Sequence, residues 1–311
     1  MDLAFGHLGG LFEKLPDYIT QYPAWSSRNT WITCANITTG RANATASSMG
    51  QYVYVFGGYA GTGTGTVYSK VEGYNTVNNT WSARTDLPEP RCEATSCTVN
   101  ERIYVIGGQN ASFANTKTNY MFNPYANTWK TKTAMPTARY CMCAVNVNNA
   151  IYVVGGATNS TTSTNKNEYY NTLTDTWTTR ANMTTARMDL SCVAIGASLY
   201  ALGGRTTSTG SSLNKNECYD SLTNTWTTKT NMSATRCNAS AVAINGKVYL
   251  TNGNTSSNTY CYDPTANTWS TKASITSAGE SGAAAVVGNN MYVLTGYNSG
   301  IKNTFYCYIP N

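Results

Sequence analysis

The chain has 311 residues, of which only 12% are charged, and its formal net charge is +6. Because Lys and Arg do not cluster in a run, we expect no nucleic-acid partner. The sequence has no apolar stretch long enough to span a bilayer, and residues 1–10 lack the pattern of a secretory signal, so we expect no membrane insertion.

Residues 1–25 are predicted to form an N-terminal attachment or connector segment, and residues 26–311 a repeat domain. Apolar side chains in the segment stand at the spacing of one helix face, at Leu8, Leu11, Phe12 and Leu15. Two interpretations fit this pattern: a tail that folds across the repeat domain, and a peptide that docks on a larger assembly.

An Asn or Asp followed by Thr and Trp recurs every 43–50 residues along the rest of the chain. Its six Trp are Trp31, Trp81, Trp129, Trp177, Trp226 and Trp269. Apolar runs that end in two glycines precede four of them, at Gly57 and Gly58, Gly107 and Gly108, Gly155 and Gly156, and Gly203 and Gly204. We interpret these Trp and Gly residues as structural, because Trp fills space between packed units and Gly permits conformations that a Cβ would block.

Five units also carry an aromatic residue seven positions before their Trp, and five begin just after an Arg, which Gly279 replaces in the sixth. Each unit is therefore predicted to form four short strands. Apolar strand, Gly-Gly, aromatic and Trp at these spacings resemble the kelch repeat, over about residues 29–309. The resemblance implies a β-propeller of four-stranded blades.

The two ends of the chain complete one blade. The chain begins with a fourth-strand motif around Trp31 that lacks three preceding strands, and it ends with three strands over roughly 281–308 that lack a fourth. The predicted fold class is therefore all-β: a six-bladed kelch-type propeller closed by an N-terminal outer strand, with no open sheet edge at the seam.

The ten Cys are predicted to be buried thiols in a protein that folds in a reducing compartment. Cys97, Cys143 and Cys192 lie inside apolar strands, and Cys218, Cys261 and Cys307 share one repeat position. Equivalent positions in different blades are expected to lie too far apart for a disulfide.

The candidate binding face is the one that carries the variable loops after the glycines and the links into each first strand, because variable loops on a rigid scaffold usually carry function. Five repeat arginines are predicted to ring the channel there and to bind an acidic ligand. Their alternative role is structural. The candidate ligand-binding residues are Arg41, Arg91, Arg139, Arg187, Arg236, Glu93, Asp189, Tyr59, Gln109, Arg205 and Tyr297.

The sequence argues against most catalytic sites. Its single histidine, His7, precedes the first blade, which excludes a Ser-His-Asp triad and a His-rich metal site within the propeller. We therefore expect no catalytic residue, metal or cofactor. A sialic-acid enzyme, similar to a sialidase or to kelch-type sialate mutarotases, is the remaining enzymatic alternative, with Glu93 or Asp189 as general base.

The composition, rich in Thr, Asn, Ser, Gly and Tyr, resembles phage tail and fibre proteins. The resulting hypothesis is a non-enzymatic virion protein, made in the cytoplasm and displayed on the particle surface. It would bind a host-surface glycan or other acidic ligand, contact other virion proteins through residues 1–25 and act as one of several copies in an assembly. The first alternative is a cytoplasmic kelch scaffold that binds an acidic protein segment.

Overall fold

The computed structural model describes residues 28–61 and 65–310. The segment 1–25 lies outside these residues, so its attachment role and the domain boundary at residue 26 stay predictions. The described residues form 28 strands. No helix in this part of the chain could cross a membrane.

Six four-stranded antiparallel sheets, which we call blades I to VI, make up the fold. The first strand of the chain, β1 (Thr30–Thr33), belongs to blade VI. Blade I contains β2 (Thr45–Met49), β3 (Tyr52–Phe56), β6 (Val71–Asn75) and β7 (Thr80–Ala83), and its loop carries the hairpin of β4 (Tyr59–Ala60) and β5 (Thr66–Val67). Blade II contains β8 (Thr95–Val99), β9 (Arg102–Ile106), β10 (Asn119–Asn123) and β11 (Thr128–Lys132). Blade III contains β12 (Cys143–Val147), β13 (Ala150–Val154), β16 (Asn167–Asn171) and β17 (Thr176–Arg180), with a loop hairpin of β14 (Ala157–Asn159) and β15 (Thr162–Ser163).

The second half of the chain repeats this arrangement. Blade IV contains β18 (Ser191–Ile195), β19 (Ser198–Leu202), β20 (Asn216–Asp220) and β21 (Thr225–Thr228). Blade V contains β22 (Ala239–Ile244), β23 (Lys247–Asn252), β24 (Thr259–Asp263) and β25 (Thr268–Lys272). Blade VI contains β26 (Ala283–Val287), β27 (Asn290–Leu294), β28 (Phe305–Ile309) and β1.

Burial follows the position of a strand within its blade. The second strands are continuous apolar runs, such as Ala150–Val154, and are buried on both faces because a neighbouring blade packs on each side. The fourth strands, such as Thr225–Thr228, are mostly exposed apart from their Trp. The core is therefore a series of apolar layers between blades, around a central channel lined by the first strands.

The N-terminal strand closes the ring. β1 pairs with β28 in antiparallel register, with Thr30 opposite Ile309 and Trp31 opposite Tyr308. The predicted six-bladed all-β propeller with this closure is confirmed. Closure in this way leaves β28 with a partner along its outer edge, which prevents pairing with another chain.

The Asn-Thr-Trp motif joins each blade to the one before it. In blade III, Trp177 Nε1 donates to the Thr133 carbonyl of blade II over 2.8 Å, and the Asp175 carboxylate accepts from the Thr133 amide over 2.9 Å. The Asn or Asp has a positive φ, which these two residue types tolerate best. At the seam, Asn29 and Trp31 make the same contacts with Ala273.

The glycine pairs allow adjacent blades to approach closely. Gly57 has a φ of 59°, and a Cβ there would lie 2.1 Å from the Arg91 carbonyl oxygen of the next blade. The following Gly58 donates its N–H to that same oxygen over 2.7 Å. Any side chain at Gly57 would therefore push the two blades apart.

One cysteine prediction is wrong, because Cys143 of β12 and Cys192 of β18 form a disulfide between blades III and IV. Their Cα atoms lie 5.9 Å apart, within the usual range for a bridge. First strands crowd around the channel axis, so equivalent residues there come closer than residues further out in the blades. The other eight cysteines are free thiols, seven of them buried.

Candidate functional site

The mouth of the channel is built from one residue of each blade, two positions after the repeat Arg or its equivalent. All six have φ between 52° and 55°, and we call them the mouth ring: Asn43, Glu93, Cys141, Asp189, Asn238 and Ser281. Each donates its backbone N–H to the carbonyl of its counterpart in the preceding blade, over 2.8–3.1 Å. The six hydrogen bonds form a closed circle that holds six side chains around one opening.

A second circle of residues surrounds the mouth ring. It consists of the residue that follows each glycine pair or its equivalent: Tyr59, Gln109, Ala157, Arg205, Asn254 and Tyr297. In five blades this residue forms a backbone bridge with the residue just before the mouth ring, as Tyr59 does with Ala42. Four candidates from the sequence, Tyr59, Gln109, Arg205 and Tyr297, are therefore brought to the mouth together with Glu93 and Asp189.

Polar side chains line a cavity of about 110 Å³ at this mouth. Glu93 Oε1 accepts a hydrogen bond from Asn43 Nδ2 over 3.0 Å. Asp189 Oδ2 accepts from Arg205 Nε over 2.5 Å. Cys141 stands between the two acids, and its thiol lies beside both carboxyl groups. The two acids therefore share one side of the opening, and the amides of Asn43 and Asn238 flank them.

Burial and like charge act on the acids of the mouth. Burial first, and then the nearby Asp189, raise the pKa of Glu93 to about 7. Burial also raises the pKa of Glu280, next to the ring residue Ser281, and the charge of Asp189 adds to that shift. The Cys141 thiol has a pKa well above its ordinary value because it is buried beside both carboxyl groups. The mouth therefore favours a proton or another positive group near Glu93.

Aromatic side chains form part of the rim. The Tyr59 ring meets the edge of Phe113, with ring centroids 6.4 Å apart, and Phe113 is 40% exposed. Burial, followed by the negative charge of Glu93, raises the pKa of Tyr59. Beneath the mouth, the channel is lined by small residues such as Thr45, Ser240 and Ala283.

The five repeat arginines do not face the channel, contrary to the expected arginine ring. Their side chains are between 0% and 7% exposed: Arg41, Arg91, Arg139, Arg187 and Arg236. Each guanidinium binds groups of its own blade. Arg139, for example, donates to the Gly155 carbonyl over 2.5 Å and to Glu168 over 2.6 Å. A positive funnel for acidic ligands is therefore absent from the described mouth, and the arginines connect strands within blades.

The acidic partners of the arginines were not predicted from the sequence. The second residue of the third strand in blades I, III and IV is a Glu that pairs with the repeat Arg of the same blade: Glu72 with Arg41, Glu168 with Arg139, and Glu217 with Arg187. Each Glu stands two residues before the repeat aromatic, and each of these blades also carries the Arg. The presence of both the Glu and the Arg in the same repeats could have predicted a buried ion pair between them.

Four mouth-ring residues were also missed: Asn43, Cys141, Asn238 and Ser281. From the sequence, only the two acidic residues at this repeat position, Glu93 and Asp189, were predicted to bind a ligand. Alignment of the six repeats on their Arg places all six residues at one position, which would have identified the ring.

The arrangement at the mouth suits binding by hydrogen bonds and charge. Within residues 28–61 and 65–310, no group of three or more His, Cys, Asp or Glu side chains is placed to hold a metal ion. His7 lies outside these residues. The carboxyl groups accept hydrogen bonds or pair with a cation, and the side-chain amides both donate and accept hydrogen bonds. The tyrosines add flat apolar surface.

Comparison with known proteins agrees with the fold. The family model of the KLHDC2/KLHL20/DRC7 Kelch-repeats domain matches residues 43–185 and 145–311. A solved structure of YjhT superposes with a TM-score of 0.74 at 14% sequence identity, over 88% of this chain and 95% of that one. No curated protein sequence matches the chain. With a family model that spans most of its length and six blades of the matching architecture, the chain belongs to the Kelch-repeat family.

Proposed function

We propose that this propeller is a non-catalytic recognition module, which binds a basic side chain of a partner protein at its channel mouth. The observation that carries the proposal is the position of Glu93 and Asp189 on one side of the mouth ring, in a cavity open to solvent. Kelch propellers are protein-interaction scaffolds as a family, so a protein partner fits the architecture. The proposed ligand is cationic, whereas the sequence favoured an acidic one.

The balance of charge supports a cationic ligand. Glu93, Asp189 and Glu280 approach the mouth, and Arg205, which is bound to Asp189, is the basic residue facing them. Glu93 has no ion-pair partner among the described residues and has a raised pKa. A Lys or Arg side chain beside it would favour its ionised form, and charge-assisted hydrogen bonds are stronger than neutral ones.

Peptide arrays provide the test. The wild type and Glu93→Gln are probed with basic, neutral and acidic peptides at about pH 5.5 and about pH 8. We expect basic peptides to bind more tightly at the higher pH, where Glu93 is ionised. Glu93→Gln weakens that binding by roughly tenfold, the effect of about one charge-assisted hydrogen bond, and abolishes the pH dependence.

Glu101→Gln is the matched control, because Glu101 is exposed in a turn between the first two strands of blade II, on the opposite face. It removes the same charge and leaves binding unchanged. Preference for acidic peptides, or equal loss of binding in both variants, would contradict the proposal.

A neutral glycan is the second candidate. The Tyr59–Phe113 pair on the rim, in which Phe113 is exposed and Tyr59 partly buried, favours it, since aromatic rings and amides form suitable surfaces for sugars. A glycan array distinguishes the two candidates: binding that Tyr59→Ala abolishes and Glu93→Gln leaves intact would support the glycan. Display on a virion, assembly with other copies and attachment through residues 1–25 stay predictions, which co-sedimentation with particles would test.

A further inference from the structure

The repeat arginines differ in where their carboxylate partner comes from. In blades I, III and IV it is the Glu near the start of the third strand. In blade II the corresponding residue is Tyr120, and the partner of Arg91 is Glu89, two residues before the Arg in the link that enters the blade. Arg236 of blade V has no carboxylate within ion-pair distance among the residues that the structure describes.

Blade II shows how a carboxylate supplied from outside the sheet fits an Arg–Tyr pair. Glu89 Oε1 lies 2.8 Å from Arg91 Nη2 and accepts a hydrogen bond from the Tyr120 hydroxyl. Burial opposes ionisation of Glu89, but the Tyr120 hydrogen bond and the Arg91 charge together lower its pKa. The side chain of Glu89 is 37% exposed, so this place is open to solvent.

Blade V repeats this arrangement around Arg236. The guanidinium lies over the Tyr260 ring, 5.4 Å from its centroid, as Arg91 lies over Tyr120 at 5.8 Å. Arg236 Nη2 donates to Ser256 Oγ over 2.9 Å, and Arg91 Nη1 donates over 2.7 Å to Thr116, which stands at the same repeat position.

One residue distinguishes the two blades at this place. The position of Glu89, two residues before the Arg, is occupied in blade V by Ala234, whose side chain has no charge. Thr235, next to Arg236, is exposed, and its carbonyl accepts from Arg236 Nη1 in a partly buried contact. Arg236 itself is buried, and the partly buried Ala234 and the exposed Thr235 lie on the side where the acid of blade II enters.

Arg236 Nη2 also donates to the Tyr260 hydroxyl, over 3.4 Å. We propose that blade V binds a carboxylate group from outside this chain, which replaces this contact and bridges Arg236 and the Tyr260 hydroxyl as Glu89 bridges Arg91 and Tyr120 in blade II. The ligand is a free small carboxylate or an acidic side chain of a partner protein. The site is separate from the mouth ring: its groups belong to the link before blade V and to the loop and third strand of that blade.

Thermal unfolding in sodium acetate, compared with sodium chloride at equal ionic strength, tests the proposal. Acetate binding to the folded state raises the unfolding midpoint of the wild type, by roughly 1–3 °C at several times the dissociation constant. Ala234→Glu supplies the acid from within the chain, as in blade II. We expect this variant to unfold at a higher temperature in chloride and to lose the acetate-specific rise.

Ser277→Glu is the matched control, since it places an acid at the same repeat position in blade VI, where Gly279 replaces the Arg. It keeps the wild-type response to acetate. General salt effects change all three proteins equally, so an acetate response of the same size in the wild type and in Ala234→Glu would overturn the proposal.

A second arm identifies the source of the carboxylate. Short glutamate-containing peptides and their glutamine counterparts replace acetate in the same measurement. A larger rise with the glutamate peptide than with acetate assigns the carboxylate to a protein partner. Equal rises with both carboxylates assign the site to small carboxylates.

Discussion

At the scale of single residues, two kinds of buried charge have different roles. The repeat arginines are held by carbonyls and carboxylates of their own blades, so they stabilise the sheets. Glu93 lies instead at a cavity, where burial and Asp189 disfavour its charge. We therefore expect substitution of the arginines to lower the stability of the fold, and ionisation of Glu93 to make stability and binding at the mouth depend on pH.

The Arg139–Glu168 pair illustrates the structural role, because both side chains are almost fully buried. Arg139→Met leaves the Glu168 charge without its partner and lowers the free energy of unfolding by about 3–5 kcal/mol. The double variant Arg139→Met, Glu168→Leu recovers most of that loss, because no buried charge is left. Urea unfolding of the wild type and the two variants measures these changes in free energy. If Arg139→Met is as stable as the wild type, the structural role is ruled out.

Glu93 makes the folded protein less stable as the pH rises. Its pKa is about 7 in the folded state and near its ordinary value when unfolded, so between these values the folded state holds a proton that the unfolded state lacks. The free energy of unfolding therefore falls from about pH 4.5 to pH 7, by on the order of 3 kcal/mol.

Chemical denaturation of the wild type and Glu93→Gln across this pH range isolates the effect, since the other carboxyl groups contribute equally to both. We expect the variant to gain stability relative to the wild type as the pH increases. Parallel pH curves would show that the Glu93 pKa is not raised.

At the scale of secondary-structure elements, contacts between blades depend on a few repeated groups. The Trp of each fourth strand donates to the preceding blade, and the glycine pair that follows the second strand in blades I to IV allows the next blade to approach. Between β12 and β18 a covalent bond is added, Cys143–Cys192, which closes a loop across 49 positions of sequence.

Loss of this disulfide lowers stability, because the unfolded chain gains conformational freedom. For a loop of this length the expected decrease in the free energy of unfolding is about 2–4 kcal/mol. Thermal unfolding with and without a phosphine reductant measures it in the wild type. Cys143→Ala, Cys192→Ala is less stable than the oxidised wild type and insensitive to the reductant; sensitivity in this variant would implicate other cysteines.

At the scale of the whole molecule, the ring is held closed by the pairing of its two ends. β1 completes blade VI through four residue pairs, and Trp31 packs against Tyr308 with ring centroids 5.0 Å apart. Without β1, the edge of β28 and the apolar surface beneath Trp31 would be exposed, which favours aggregation.

Trp31→Ala tests the closure with a single change. Removal of the ring and of its hydrogen bond to the Ala273 carbonyl lowers the free energy of unfolding by about 3–5 kcal/mol. Trp129→Ala is the matched control within blade II, away from the seam. Both variants lose stability, but only Trp31→Ala opens the seam, so that it alone shows faster hydrogen exchange in β28; equal exchange in both would contradict closure by β1.

The fold followed from patterns that are local in sequence. Period, Trp and Gly-Gly markers predicted four strands per blade, and the incomplete ends predicted six blades and their closure, because each blade is one local unit that repeats. Alignment of the repeats could also have predicted the mouth ring and the buried Arg–Glu pairs. It could not have predicted the direction in which the Arg side chains point.

The sequence by itself determined the architecture, the number of blades and the face that carries variable loops. Only the tertiary structure decided which side chains meet: the turning of five arginines into their blades, the circle that brings Glu93 beside Asp189, the Cys143–Cys192 bond and the single Arg236 without an acid. The physical reason is that a strand pattern depends on neighbours along the chain, whereas each of these contacts depends on how blades about 50 residues apart pack around a common axis.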